Sequence, residues 1–286
     1  MLSATEAGRT RRLRPPPSLM QQYQEYVMQR IEGYKNSIER DELLRLGDEA
    51  VSEMQATAEG QFVLTEVLML ESVDRLIMKR LALRPYRRWR QQYLNLRAAQ
   101  RQPTHWGLEP DCPLAALLPR LEPEDRAVAA GAGAVSAAFL LAAHDAEVTF
   151  IASDLGAVER VESGMASESL GGGAVCYFVQ PGCWMPDFGG PLSLVVVDAG
   201  SLADVDPASR AIFLGQLQEQ TATGGVHVIV PGDSALAPDA LLGAYDGWLR
   251  DDIGGRRRRG VAARSRGIVL TKAERASGAR AEGTGR

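Results

Sequence analysis

Cysteine and histidine are scarce in this chain of 286 residues, which has only Cys112, Cys176 and Cys183, and His105, His144 and His227. Thiols so few and so scattered form neither a disulfide framework nor a zinc pattern, and the histidines contain no HxxxH pair. Such thiols suit a reducing compartment, so the cytoplasm is the expected location. Long apolar runs are missing too. Arg9, Arg11, Arg12 and Arg14 run into Pro15-Pro16-Pro17 instead of an apolar segment, so no signal peptide and no membrane anchor are expected. Nor is there a large charge of one sign. The formal net charge of −4 gives global electrostatics no pull toward nucleic acid or an anionic membrane, so nucleic acid is not an expected partner and any such binding has to be local.

What is present suits a soluble α/β protein. A hydrophobic content of 45% fills one large core or two modest ones. Residues 1–17 are polar, basic and proline-terminated, and are expected to be a disordered arm. From 18 to 100 the period is helical. Tyr23, Val27, Ile31, Tyr34 and Ile38 recur at three- and four-residue steps. Asp41 is placed to cap a second helix that Gly60 would stop, Thr65 opens a third with a wide apolar set from Val67 to Leu81, and Pro85 suits the first turn of a fourth carrying Tyr86, Trp89, Tyr93 and Leu96. This all-helical region is suited to capping a site, to forming a homodimer or to docking a protein partner.

Residues 101–123 hold five prolines and are expected to be a connector between two folding units. Beyond them the period changes. Apolar runs at 127–130, 147–151, 174–179, 192–198 and 225–230 alternate with helical stretches near 135–143, 155–169 and 207–222, which predicts βαβ crossovers and a mostly parallel sheet. Residues 248–256 and 264–273 have no helix between them and predict a terminal antiparallel hairpin. The fold class is therefore α/β: a Rossmann-like, seven-stranded, mostly parallel sheet over 124–274, after an all-helical N-terminal domain and before a disordered tail at 275–286.

The ligand edge of such a sheet follows from AVAAGAGAVSAAFLLAAHDAEVTFI at 127–151. Strand, glycine turn, helix and strand in that order aim the free N–H groups of the helix over the strand ends, and Gly131 and Gly133 leave room for a ligand against the backbone. The third position of GxGxxG is Ser136, so the fingerprint is incomplete.

Residues 124–273 resemble the class I S-adenosylmethionine-dependent methyltransferases. The likeness rests on the glycine turn, the strand-end Asp198 in LVVVDAGSL, Thr223-Gly224-Gly225 before VHVIV, and Tyr245-Asp246-Gly247-Trp248 before the hairpin, a group similar to that of the small-molecule enzymes of the tellurite-resistance type. The resemblance implies S-adenosylmethionine held over Gly131, Gly133, Ala152, Asp154 and Gly182, a small-molecule methyl acceptor, and Asp198 as the candidate catalytic group. It also exposes three departures. Where the family usually has carboxylates for the methionyl ammonium, the ribose and the adenine, this chain has Ala129, Ala152 and Gly182. Each lost charge-assisted bond is worth about 1.5–3 kcal/mol, so a weakened cofactor site is expected.

Two other readings stand beside this one. One is a non-catalytic protein that keeps the methyltransferase fold as a platform while its helical domain does the recognising. The other is an NAD(P)-binding oxidoreductase, since GAGAVS followed by AEVTFIAS resembles a dinucleotide-binding unit; Ala152-Ser153, however, offers neither the acid that NAD needs nor the arginine that NADP prefers. Elsewhere, His227 lies within a strand and is expected to be a hydrogen-bonded core residue. Trp106 is expected to be an interdomain packing anchor, and the arginines at 256–259, 264 and 266 a solvated cluster.

Overall fold

The structure is a computed structural model, and it describes residues 17–57, 66–168, 170, 174–232, 236–251 and 267–273. The arm up to residue 16, Gly60, Thr65, the arginines at 256–259, 264 and 266, and the tail lie outside the described residues. The chain divides into two units, the second beginning at Leu96.

The first unit is helical. It contains α1 (Leu19–Ser37), α2 (Arg40–Thr57), α3 (Glu66–Arg80) and the greater part of α4 (Tyr86–Gln100). Ser18 opens α1 with a reciprocal cap: its hydroxyl accepts the Gln21 N–H at 3.3 Å while the Gln21 side chain accepts the Ser18 N–H at 2.8 Å. Asp41 does not cap α2 as expected. It lies inside the first turn, where its charge still favours the helix N-terminus, and the Glu39 carbonyl takes the Leu43 N–H instead. Ile31, Leu46, Ala50, Val73, Leu76 and Ile77 form the core. The apolar set of α3 is wider than this core uses, since Val67 and Leu70 stay exposed.

In the second unit, residues 101–123 are not a loose connector. Their prolines start helices, Pro103 a short 3-10 turn and Pro113 the helix α5 (Pro113–Leu117), because proline is pre-set for a first turn. Leu114, Leu117 and Leu118 are buried in the core of this unit. Trp106 stacks on Phe139 with ring centroids 5.0 Å apart, and its indole N–H donates to the Gln100 carbonyl at 2.7 Å. It anchors packing as expected, but both of these partners belong to the second unit, not to the first.

The strands are β1 (Arg126–Ala130), β2 (Glu147–Ala152), β3 (Ala174–Phe178), β4 (Leu192–Asp198), β5 (Thr221–Val230), β6 (Trp248–Asp251) and β7 (Ile268–Lys272), in the order β3-β2-β1-β4-β5-β7-β6. The first five run parallel, while β7 is antiparallel to both β5 and β6. Helices α6 (Val135–Ala143) and α7 (Leu155–Glu168) join the core on one face of the sheet and α8 (Pro207–Gln220) the core on the other. Alternation along β1 sends Ala127 and Ala129 to the first core and Val128 and Ala130 to the second. The register sets Ala130 level with Ile151 and Val197, so the carboxyl ends of β1, β2 and β4 meet along one edge. No described helix is long and apolar enough to cross a membrane.

β5 begins earlier than its apolar run. Thr221 pairs with Leu192 and Val226 with Leu194, so the intervening residues bulge out, with Gly224 in the left-handed region at φ 77°. Behind the bulge lies a buried polar chain. Thr221 Oγ1 donates to the Leu217 carbonyl at 2.7 Å, so it can only accept from His227 Nε2, at 2.8 Å. That tautomer leaves His227 Nδ1 to accept from the Tyr245 hydroxyl at 3.0 Å. The imidazole is fully buried, and desolvation, aided by the nearby Lys272 ammonium, pushes its pKa down to about 3.

Above pH 6.5 the ring is neutral both folded and unfolded. Below that, only the unfolded chain takes the proton, until the folded ring titrates near 3. Stability should therefore fall with pH between about 6.5 and 3, at up to about 1.4 kcal/mol per pH unit from this group. Urea unfolding from pH 7.5 to 4.5 should show this slope, and His227→Gln, which keeps a donor and an acceptor without a titrating ring, should flatten it. An equal slope in the variant would assign the dependence to other groups.

Candidate functional site

The site is built where β1 stops. Gly131, at φ 100°, turns the chain into a short 3-10 turn (Ala132–Ala134) that runs into α6; the Ala134 N–H closes the turn on the Gly131 carbonyl at 3.0 Å, and the Ala132 and Gly133 N–H groups are left to outside acceptors. Level with it, at the end of β4, stands Asp198. Its carboxylate accepts the Gly133 N–H at 2.8 Å, the Gly200 N–H at 2.9 Å and the Ser201 hydroxyl at 2.5 Å. Ser201 Oγ in turn accepts the Ala132 N–H at 2.9 Å. The anion that the helix N-terminus favours is therefore the chain's own carboxylate.

The glycines serve the same contact. A Cβ on Gly133 would stand 2.8 Å from the Asp198 carboxylate, one on Gly131 would stand 2.5 Å from Ser201 Oγ, and one on Gly232 would stand 2.5 Å from Asp198 Oδ1. The sequence reading gave this space to a ligand. The structure gives it to Asp198 and Ser201, because the register of β1 and β4 places them directly against the turn. Among the described residues, a cavity of about 10 Å³ lies at this edge, lined by Gly131, Ile151, Ala152, Ser153, Pro181 and Ser201 among others, which is room for about one water. A larger crevice of about 270 Å³ opens at the opposite edge, beside Arg120, Asp125, Ser193 and Gly224.

The remaining predicted residues divide. Ala152 ends β2 and lines the small cavity. Asp154 caps α7 and does not line it, its Oδ1 accepting the Gly156 N–H at 2.9 Å. Gly182 also lies outside the lining. It turns at φ 84° against the first turn of α8, where a Cβ would stand 2.8 Å from the Ser209 backbone. Ala129 sits one residue inside the strand end, paired with Phe150 and Val196. Sequence reasoning missed Ser201 and Gly232. Asp-Ala-Gly-Ser at 198–201 hints at a local carboxylate–hydroxyl turn, but nothing local reveals that the turn also holds the glycine loop.

The described residues of this edge do not fit a nucleoside cofactor in this arrangement. Ligand pockets usually enclose about 300–1,000 Å³, and here the cradle is filled and the ends of β1 and β2 carry no carboxylate. Burial raises the pKa of the Cys176 thiol to about 11 and raises that of Cys112, so neither favours a thiolate, and no cluster of metal-ligating side chains occurs among the described residues.

The sheet, five parallel strands closed by β7 reversed between β5 and β6, is the mostly parallel seven-stranded α/β layout expected from the sequence. By sequence the chain matches no family profile and no curated protein. Among solved structures it is similar to a TehB-like SAM-dependent methyltransferase from Corynebacterium glutamicum, at 14% identity and a TM-score of 0.45 over 66% of this chain and 97% of that one. It is also similar to an rRNA methylase from Streptococcus thermophilus (12% identity, TM-score 0.40, 56% of this chain and 93% of that one). A third similar structure is the N-methyltransferase NodS from Bradyrhizobium japonicum (14%, TM-score 0.42, 56% and 94%). The helical N-terminal region has no counterpart in these matches.

Asp198→Ala would take the acceptor from the Gly133 and Gly200 N–H groups, and should lower the unfolding free energy by about 1–3 kcal/mol in urea titration. Gly133→Ala should cost about 1–3 kcal/mol by overpacking the same contact. Changes below about 0.5 kcal/mol in both variants would show that the carboxylate does not hold the turn.

Proposed function

We propose that the α/β unit is a methyltransferase-like protein whose cofactor site is shut by its own side chains: S-adenosylmethionine is the ligand class of this edge, it binds weakly, and the fold serves chiefly as a rigid, non-catalytic platform. The observation that carries this reading is the Asp198 carboxylate seated on the Gly133 N–H. A ligand entering there must displace three hydrogen bonds to a buried charge, and it finds no carboxylate at Ala152 to accept its ribose hydroxyls. A dinucleotide meets the same obstruction, so the oxidoreductase reading gains nothing from the glycine turn. A second reading, an active small-molecule methyltransferase, rests on the position of Asp198 at a strand end beside the exposed Ser153. It requires the carboxylate to leave the turn.

Calorimetric titration with S-adenosylmethionine and S-adenosylhomocysteine separates the two. The wild type should bind no tighter than about 0.5 mM, and Ala152→Asp, which restores one charge-assisted bond worth about 1.5–3 kcal/mol, should tighten binding at least about tenfold. Micromolar binding by the wild type would mean that Asp198 moves readily, and would favour the active enzyme.

A further inference from the structure

The charge of this chain is unevenly spread. From Arg75 to Leu108 the sequence holds eight arginines and Lys79 and no aspartate or glutamate, within a protein of net charge −4. Some of these cations are used by the fold: Arg80 pairs with Glu42 and Glu49, and Lys79 with Glu53. Arg87, Arg88 and Arg90 on α4 are not, nor is Arg30 on α1. All four are exposed and have no ion pair or hydrogen bond among the described residues.

These arginines border a cluster of five aromatic rings within the helical unit. Trp89 is its centre, with ring centroids 5.1 Å from Tyr93 and 6.3 Å from Tyr86 in stacked geometry, and 5.3 Å from Tyr23 and 6.1 Å from Tyr26 across to α1. Tyr86, Trp89 and Tyr93 follow one stripe of α4, with Arg88 and Arg90 on its two flanks, and Arg30 stands one turn beyond Tyr26 on α1. The rings lie apart from the aliphatic core of Ile31, Leu46, Leu76 and Ile77. None is fully buried, and Tyr26 keeps 36% of its surface exposed.

We propose that this face of the helical unit binds single-stranded nucleic acid, with the phosphates on Arg30, Arg88 and Arg90 and bases stacked on the exposed parts of Tyr26 and Tyr93. Guanidinium groups alone would fit any polyanion. Pre-stacked rings beside them add a platform that continues a base stack, which neither an acidic peptide nor a lipid headgroup uses. The proposal is independent of the state of the cofactor site.

Fluorescence anisotropy of the full chain with a labelled single-stranded RNA of about 15 mixed nucleotides, at about 50 mM KCl, tests this. Saturable binding that weakens with added salt and quenches tryptophan fluorescence is expected. Arg30→Glu/Arg88→Glu/Arg90→Glu should weaken it at least about tenfold, and Tyr26→Leu, which leaves the charge intact, about three- to tenfold without changing the salt dependence. Circular dichroism of both variants checks that the helices persist. The proposal is overturned if the RNA does not bind, if the triple variant binds as the wild type does while reversal of Arg256–Arg259 abolishes binding, or if Tyr26→Leu is neutral. It is overturned as well if phosphatidylserine vesicles compete equally with unlabelled RNA.

Discussion

A carboxylate on a helix N-terminus organises the functional edge of this protein. Asp198 ends the central strand β4, and three hydrogen bonds hold it against the glycine turn after β1 and the turn that follows β4. Hydrogen bonds to a charged acceptor are among the stronger polar interactions available to a fold. The glycines at 131, 133 and 232, the small serine at 201 and the tight approach of β1 to β4 follow from accommodating that one group. In the same fold these features could equally have framed a ligand. The chain has satisfied the edge from within.

The architecture was legible because it is written in period and order. β-branched runs such as LSLVVVD, alternating with helical stretches, fixed the parallel sheet, and the absence of a helix before IVLTK pointed to the reversed pair β6 and β7. His227 was readable as a core residue from its place in VHVIV. The prolines of 101–123 misled. They were read as breaks, although proline at the first turn starts a helix as readily as it ends one, and Leu114, Leu117 and Leu118 carried the apolar signal of a buried segment.

The site was legible only as a place. Gly131, Gly133, Ala152 and Asp198 do converge on one edge, but what fills the space depends on a contact between residues about 65 positions apart. Whether a glycine has lost its Cβ for a ligand or for a neighbouring side chain is decided by registry between strands, and local sequence does not carry registry. Gly182 and Asp154 show the same limit: a turn glycine and a helix cap have the residue types of a site and the surroundings of ordinary structure.

The position of β7 has a consequence for how the molecule assembles. The last of the strands in sequence lies inside the sheet, between β5 and β6, so neither neighbour can complete its pairing until Ile268–Lys272 has been synthesised. During translation β5, apolar over most of its length, keeps one ladder of N–H and C=O groups open while everything before it is already available to fold. The nascent domain thus carries this open edge until Ile268–Lys272 has been made, and β7 acts as the closure that ends the exposure.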